Sequence, residues 1–367
     1  MIAAKSTIRV HLAERGYDIE IGSGNLATIG SFVASRGKIA HAILITDANV
    51  EHSHAAVVAA SLAQAGARVE LASIPPGEQS KSVAVADQLW QRLLDLGTDR
   101  KSIVVAVGGG VVGDLAGFVA ATFARGLHFF QVPTTLLAQV DSSVGGKVGV
   151  NLPAAKNMIG AFWQPRGVLI DTDVLSTLPE REYRAGLAEI VKYGVILDHE
   201  FFAYLESNTA AIHARHPDAL RHMVTRSCRL KADVVEQDER EETGVRAVLN
   251  YGHTFCHAIE ALTGYGEYLH GEAVAMGMMC AAHLAEFMGR FDQAELQRQQ
   301  SLLEHLGLPI FIPKLDHEEL IAAMQRDKKV EYGKLRFVLP TRIGHVELVA
   351  SAHPDQVYRA LERCQRP

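Results

Sequence analysis

The chain has 367 residues, of which 48% are hydrophobic, so it can bury a large core, and its length favours two domains over one. A formal net charge of -6 provides no global positive field, which argues against nucleic acid as a partner. The four cysteines form no CxxC pair, and no apolar run reaches the roughly 20 residues of a membrane helix. These features predict a cytoplasmic protein that does not span a membrane.

The first half alternates short apolar runs with amphipathic stretches. The apolar runs predict strands at residues 42–46, 68–72, 102–107 and 129–132. Helical spacing of apolar residues predicts helices at 50–65, 82–96 and 111–123. Residues 1–178 are therefore predicted to form an α/β, Rossmann-like domain whose parallel sheet is covered on both faces.

Beyond Pro179 the pattern changes to long amphipathic segments. They predict helices at residues 182–197, 216–238, 249–262, 272–288 and 294–305. A late extended pair, 335–339 and 345–349, is joined by a turn at 340–344. Residues 179–367 are predicted to form a second, mainly α-helical domain.

Glycines connect the strand at 102–107 to the helix that follows it. Glycines let a backbone approach a pyrophosphate closely, and the start of a helix attracts the anion. Segment 108–114 lacks the strict GxGxxG spacing, so a plain strand-to-helix turn is the alternative. Asp47 with Asn49, and segment 76–81, follow two other strands, and three such loops on one edge of a parallel sheet predict a nucleotide crevice.

Segment 131–165 is long and dense in polar residues and glycine, which is typical of functional loops. Lys147 follows two glycines and is a candidate to hold a phosphate oxygen, with Lys156 and Asn157 as further donors. The alternative for any one of these lysines is an ordinary surface position.

Histidines and a carboxylate in the second half offer ligands for a metal ion. His253 and His257 are four residues apart on a predicted helix and share a face, although such pairs also arise by accident. His270 and Glu189 are additional candidates, and a His and carboxylate set suits zinc or a similar ion. Cys256 is predicted to be a packed small residue.

Taken together, these segments resemble those of the 3-dehydroquinate synthases, a family of the sugar phosphate cyclase superfamily, over essentially the whole chain. The matching motifs are GGGVVGDLAGF from residue 108, QVPTTLLAQVDSSVGGK from 131, AEIVKYG from 188, NYGHTFCHAIE from 250 and HGEAV from 270. Cys256 departs from the pattern, because glycine is expected there.

The resemblance implies a dehydroquinate synthase-like fold and an enzyme that uses NAD and a divalent metal, zinc or cobalt. It would convert the acid sugar phosphate DAHP (3-deoxy-D-arabino-heptulosonate 7-phosphate) to 3-dehydroquinate and phosphate in the shikimate pathway. The implied cycle is oxidation of a ring hydroxyl, loss of phosphate, reduction of the ketone, ring opening and aldol closure. NAD is regenerated, so the net reaction is that of a carbon-oxygen lyase.

The resemblance also assigns roles to individual residues. The implied metal ligands are Glu189, His253 and His270; hydroxyls would be held by Asp141, Lys192 and Asn250, the carboxylate by Lys231 and Arg246, and the phosphate by Lys147, Asn157, His257 and Lys328. Arg125 matches a residue that reaches the site of a neighbouring subunit, which implies a homodimer.

The implied NAD contacts lie in the first half. They are Asp47, Asn49, Gly77, Glu78, Gln79, Ser80, Lys81, Gly110, Val111, Val112, Gly113, Asp114, Thr134, Thr135, Lys147, Lys156, Val174, Leu175, Ser176 and Thr177. Residues 1–178 are thereby assigned to NAD, and residues 179–367 to metal and substrate.

Three alternatives remain at this point. Another sugar phosphate cyclase would act on a substrate without a carboxylate; Arg246 and Lys231 argue against it, because cations arranged without an anion are costly. A metal-dependent polyol dehydrogenase of related fold would release NADH. A nucleotide-binding or oligomerisation module would keep the fold without turnover.

Overall fold

The computed structural model describes residues 5–153, 155–264, 266–326, 335–350 and 352–365. The chain forms two compact units, the first from Met1–Leu178 and Leu220–Arg240 and the second from Pro179–Ala219 and Glu241–Pro367. The predicted division after residue 178 coincides with the first boundary between them. The predicted domains differ from the units in one respect, because segment Leu220–Arg240 belongs to the first unit and not to the second.

Segment Leu220–Arg240 contains most of a long helix, and side chains of this helix contact other parts of the first unit. Cys228 donates its thiol hydrogen to the carbonyl oxygen of Gln139, and Arg229 donates to the carbonyl oxygen of Arg9 at 2.8 Å. Amphipathic spacing predicts that a helix packs on something, but it does not identify the partner.

The first unit is built around a twisted sheet. Its strands are β1 (Ser6–Val10), β2 (Tyr17–Gly22), β3 (His41–Asp47), β4 (Arg68–Ile74), β5 (Ile103–Gly108), β6 (His128–Pro133), β7 (Lys147–Leu152), β8 (Ala155–Phe162) and β9 (Gly167–Asp171). Among the described residues, seven of these strands form one sheet in the order β1-β2-β9-β6-β5-β3-β4. β1 is antiparallel to β2, and the remaining neighbours are parallel.

Helices cover both faces of this sheet, as the sequence predicted. They are α1 (Ile29–Ala34), α2 (Ala56–Gln64), α3 (Val83–Asp95) and α4 (Gly110–Thr122). Successive side chains of a strand point to opposite faces. Ile43 and Ile45 of β3 accordingly lie in the same apolar cluster as residues of α3 and α4, whereas Ala42 and Leu44 lie in the cluster of α1 and α2.

The four strands predicted in this half are confirmed, but other elements were not predicted. The predicted helix at 50–65 begins with a π-helical turn, Glu51–Ala55. Segment 131–165, expected as a loop, contains the antiparallel hairpin β7–β8. Gly149 pairs with Gly160 in this hairpin, so this pair contributes no side chains, whereas Val148 and Val150 on either side of Gly149 are buried in the core.

The second half of the chain is mainly helical. Its helices are α5 (Glu180–Leu197), α6 (His199–Ser207), α7 (Thr209–His213), α8 (Pro217–Gln237), α9 (His253–Leu262), α10 (His270–Phe287), α11 (Gln293–His305), α12 (His317–Arg326) and α13 (Pro354–Cys364). A hairpin of β10 (Phe337–Arg342) and β11 (His345–Val349) matches the predicted extended pair. No helix in the described ranges is both long enough and apolar enough to cross a membrane.

Candidate active site

The loops expected to bind a nucleotide follow the carboxyl ends of β3, β4 and β5. The chain runs from β3 outward to β4 and then returns to β5 on the other side of β3. In open α/β sheets such a reversal opens a crevice at the carboxyl ends of the strands, where ligands bind. Asp47 lies at the end of β3, and Gly110 begins α4 directly after β5.

Lys81 forms a polar cluster in the first unit with two other predicted residues, Asp114 and Asn157. Its side chain is buried, and its ammonium group contacts the carboxylate of Asp114 and donates to Asn157 Oδ1 at 2.5 Å. Burial lowers the pKa of Lys81, but the nearby carboxylates of Asp114 and Glu78 outweigh it, so the net shift is upward. Lys81 is therefore held as a buried cation beside the start of α4.

The loop at 77–81 is attached to the β7–β8 hairpin. Asn151 donates to Glu78 Oε1 at 2.7 Å, and Asn151 Oδ1 accepts from the backbone N–H of Asn157 at 2.8 Å. The structure therefore brings Asn157, expected at the substrate phosphate, together with residues expected at NAD.

Other residues expected to contact NAD differ in their burial and in their hydrogen-bond partners. Burial raises the pKa of Asp47, whose carboxylate accepts from the backbone N–H of Asn49. Thr177 lies in the 3-10 helix Thr172–Thr177, and its hydroxyl is 2.9 Å from His54 Nε2. Val174 and Leu175 of that helix are buried, and their contact with NAD remains a prediction.

Lys147 and Asn157 are not neighbours in the hairpin. Lys147 is exposed at the first position of β7 and pairs with Phe162, five residues along β8 from Asn157. At about 3.3 Å per residue, this places their backbones roughly 16 Å apart. Their assignment to one phosphate remains a prediction.

Asp141 and Lys231 form an ion pair in the first unit. Lys231 Nζ lies 2.8 Å from both Asp141 Oδ1 and the carbonyl oxygen of Asp141. Its side chain is 8% exposed, so this cation already has a carboxylate partner. Because Asp141 already balances this charge, Lys231 by itself does not argue against a substrate that lacks a carboxylate.

Three helices of the second unit converge at the predicted metal ligands. Glu189 lies on α5, while His253 and His270 are the first residues of α9 and α10. Close packing depends on glycine: a Cβ atom on Gly271 would overlap the carbonyl oxygen of Ala185 on α5. Glycine lets α10 approach α5 at the level of Glu189 and His270.

Glu189, His253 and His270, here called the metal triad, have the spacing of ligands around one ion. Their ligand atoms all lie within 4.8 Å of one another. Glu189 Oε1 is 3.6 Å from His253 Nε2 and 3.7 Å from His270 Nε2. Ligands of tetrahedral zinc are separated by about 3.4 Å, so these residues fit a divalent metal with small movements.

Neighbouring groups orient both imidazoles of the triad. His253 Nδ1 lies 3.1 Å from the carbonyl oxygen of Tyr251, and His270 Nδ1 lies 3.6 Å from Glu260 Oε1. An acceptor at Nδ1 leaves Nε2 as the metal-binding atom. Glu260 and Tyr251 were not singled out from the sequence, although both belong to the quoted NYGHTFCHAIE motif.

Lys192 and Arg246 are buried cations near carboxylates of the same unit. Lys192 forms an ion pair with Glu189, three residues earlier on α5, and is 2% exposed. Arg246 Nε lies 3.6 Å from Glu241 Oε1. A carboxylate therefore lies close to Arg246 as well, and the charge of Arg246 alone does not exclude a substrate without a carboxylate.

The remaining expected residues differ in what the structure says about them. His257 lies on α9, with its ring centroid 5.7 Å from that of His253. Asn250 is the last residue of the 3-10 helix Val245–Asn250. The α-helix predicted at 249–262 therefore begins later, at His253. Arg125 is exposed and has a left-handed backbone, with φ of 67°. Lys328 lies outside the described residues.

Comparison with known proteins identifies the relatives of the chain. Residues 71–185 match the family profile described as 3-dehydroquinate synthase N-terminal, and residues 186–330 match 3-dehydroquinate synthase C-terminal. A 3-dehydroquinate synthase of Rhodopirellula baltica is 52% identical over 365 residues, covering 98% of this chain and 97% of the relative.

Two solved structures are also similar. One is 2-deoxy-scyllo-inosose synthase complexed with carbaglucose-6-phosphate, NAD+ and Co2+, with a TM-score of 0.89, 28% identity, and coverage of 98% of this chain and 100% of the other. The second is 2-epi-5-epi-valiolone synthase from Streptomyces hygroscopicus subsp. jinggangensis 5008 with NAD+ and Zn2+ bound, with a TM-score of 0.88, 29% identity, and coverage of 96% and 98%. The sequence relatives and the family profiles show that the chain belongs to the 3-dehydroquinate synthase family.

Proposed function

We propose that this enzyme converts DAHP to 3-dehydroquinate and inorganic phosphate with NAD and a divalent metal ion. Family membership supports the reaction, and the metal triad is the observation that carries the metal requirement. Two similar enzymes contain NAD+ together with Co2+ or Zn2+, so both ions are candidates.

The triad and its neighbours are suited to hold a metal against a substrate oxygen. A divalent ion bound there would stabilise negative charge on a substrate oxygen during oxidation of its hydroxyl. Tyr251 and Glu260 fix the imidazoles, while Lys192 places a second cation beside Glu189. Lys192 is thereby positioned to donate a hydrogen bond to a hydroxyl bound near Glu189.

The cluster around Lys81 supports the assignment of NAD to the first unit. NAD would accept a hydride and later return it, so that no net oxidation occurs. The N-terminus of α4 offers backbone N–H groups and positive potential to a pyrophosphate, and the ion pair of Lys81 with Asp114 holds the adjoining loop at 77–81 against this helix. Asp47 is the last residue of β3, and an acidic residue at the end of a strand commonly binds ribose hydroxyls in dinucleotide folds, which supports the same assignment.

Phosphate release from DAHP tests the proposal directly. We expect release to require NAD and to stop after chelation, with recovery on addition of zinc or cobalt. Glu189→Ala, His253→Ala and His270→Ala should each lose metal and at least about a hundredfold in rate, because the metal contributes several kcal/mol. His283→Gln, on α10 but outside the triad, is the control; full rate and metal content in all three triad variants would disprove the assignment.

A cyclase acting on a substrate without a carboxylate is the second candidate, because the two similar solved structures carry such names. We expect Arg246→Ala to reduce kcat/KM for DAHP by about a hundredfold, since losing the partner of a buried charge is worth a few kcal/mol. An analogue lacking the carboxylate should be affected far less. Equal losses for both substrates would contradict the role of Arg246.

Two further expectations concern the cell and the assembly. The cytoplasmic location and the homodimer with Arg125 at the neighbouring site stay predictions.

The third candidate, a polyol dehydrogenase, is tested by NADH formation. Steady-state formation of NADH from a polyol would identify a dehydrogenase and contradict the proposed reaction.

A further inference from the structure

A thiol and a carboxylate lie behind His270, on the side opposite Glu189. Cys256 Sγ is 3.8 Å from His270 Nδ1 and 3.8 Å from Glu260 Oε2, and His270 Nδ1 is 3.6 Å from Glu260 Oε1. We call Cys256, Glu260 and His270 the thiol cluster. Its three ligand atoms, like those of the metal triad, lie within 4.8 Å of one another.

These separations are close to those around a tetrahedral metal ion. Bonds of about 2.3 Å to sulfur and 2.1 Å to nitrogen or oxygen place tetrahedral ligands roughly 3.4–3.6 Å apart. The sulfur-to-imidazole separation of 3.8 Å needs to contract by only about 0.2 Å to reach this geometry. Glu260 meets the sulfur through Oε2 and the imidazole through Oε1, so it would bind through both oxygens or rotate to bring one of them to the ion.

The backbone holds the cluster in place. Cys256 and Glu260 are four residues apart on α9, so they project from one face of the helix. A Cβ atom on Gly277 of α10 would overlap the carbonyl oxygen of Gly252, so glycine keeps α10 against the start of α9. The thiol is fully buried and Glu260 is 6% exposed, whereas the His270 side chain is 36% exposed and offers a route inward.

We propose that the thiol cluster is a second metal site, selective for thiophilic divalent cations such as Zn2+ or Cd2+. The imidazole of His270 would be shared, with Nε2 directed to the metal triad and Nδ1 to the new site. Glu260 binds as a carboxylate, while the thiol and the Nδ1–H group each lose a proton. Filling the second site therefore releases about two protons per cation when both of these groups start protonated, and involves no redox change.

Sulfur makes the two sites distinguishable. The metal triad contains only nitrogen and oxygen ligands, so a cadmium-thiolate absorption band in the ultraviolet reports the thiol cluster alone. The inference does not depend on the proposed reaction, because neither this band nor the number of bound ions requires turnover.

The test is a cadmium titration of the full chain, followed by absorbance and by metal analysis after gel filtration. We expect about two ions per chain with a thiolate band for the unmodified protein, and about one ion without the band for Cys256→Ser. Cys280→Ser, a buried cysteine of α10 outside the cluster, should retain both ions and the band. Glu189→Ala should weaken binding at the triad and keep the band.

Absence of the band from the unmodified protein, or its persistence in Cys256→Ser, would overturn the proposal. Circular dichroism and the thermal midpoint establish whether each variant is folded. If Cys256→Ser does not fold, Glu260→Gln removes the carboxylate without changing side-chain size. It should then lower cadmium affinity at the thiolate site by at least about tenfold, and unchanged affinity would count against the site.

Discussion

Lys81 is a buried cation whose environment depends on a few named side chains. Its ammonium group contacts Asp114 and Asn157, and Asp114 lies just beyond the first turn of α4. Burial raises the pKa of Asp114, while the charge of Lys81 opposes the shift. Each charge therefore offsets the desolvation penalty of the other, and removing one should leave the other buried without a partner and lower the free energy of unfolding.

Asp114→Asn should accordingly lower the free energy of unfolding by about 3 kcal/mol, because Lys81 keeps its charge in a buried position. Adding Lys81→Met in the same chain should recover part of this loss. Urea denaturation without NAD measures both effects. Additive losses in the double variant would show that the two side chains are not energetically coupled.

At the scale of elements, the metal triad depends on how closely α10 packs against α5. Glu189 and His270 lie on these two helices, and Gly271 is the position of closest approach to Ala185. Interiors are packed as densely as crystals, so an added methyl group has to push one helix away from the other. That displacement separates ligands on different helices.

Gly271→Ala should therefore lower both stability, by about 1–3 kcal/mol, and metal affinity. Gly194→Ala on α5 is the comparison variant, because its added Cβ would lie 3.1 Å from Phe202, a tight contact relieved by a shift of a few tenths of an ångström and away from the triad. Thermal unfolding and a zinc-binding titration measure the two effects. Normal metal affinity in Gly271→Ala would show that the triad tolerates separation of the helices.

At the scale of the whole molecule, the two compact units carry different parts of the proposed chemistry. The first contains the Lys81 cluster and the Asp141–Lys231 pair, and the second contains the metal triad. Arg125 is exposed on the first unit, in a left-handed conformation that non-glycine residues rarely adopt. A role for Arg125 in the neighbouring subunit predicts complementation between inactive chains.

Arg125→Ala and His253→Ala proteins should each be nearly inactive, yet mixing them should restore activity. In a mixed dimer, the site with an intact triad receives an intact Arg125. Random exchange of equal amounts therefore yields up to about a quarter of the normal activity. Phosphate release before and after subunit exchange measures this, and no recovery despite confirmed exchange would place Arg125 in its own chain's site.

Much of the architecture was predictable because it follows local rules. The apolar runs that form β3 and β5 predict a parallel sheet. The helical periodicity of the second half predicts its helices. Resemblance to the family, carried by the motifs around His253 and His270, predicted a metal site, and the structure brings the ligand atoms of Glu189, His253 and His270 within 4.8 Å of one another. The β7–β8 hairpin was missed, although Val148, Val150 and Leu152 alternate along β7, because the glycine-rich and polar composition of the segment indicated a loop and β8 is largely exposed.

Periodicity and the order of residues in short motifs predict the fold class and the family from the sequence alone. Helical spacing pointed to His253 and His257 as a ligand pair, and it was resemblance to the family that implied Glu189, His253 and His270 instead. Only the tertiary structure decided that segment Leu220–Arg240 belongs to the first unit, that Lys231 is paired with Asp141, and that Cys256 lies behind His270. These contacts join residues that are distant along the chain or on different helices. Helix packing and the close approaches allowed by glycine decide them, and no local pattern encodes either.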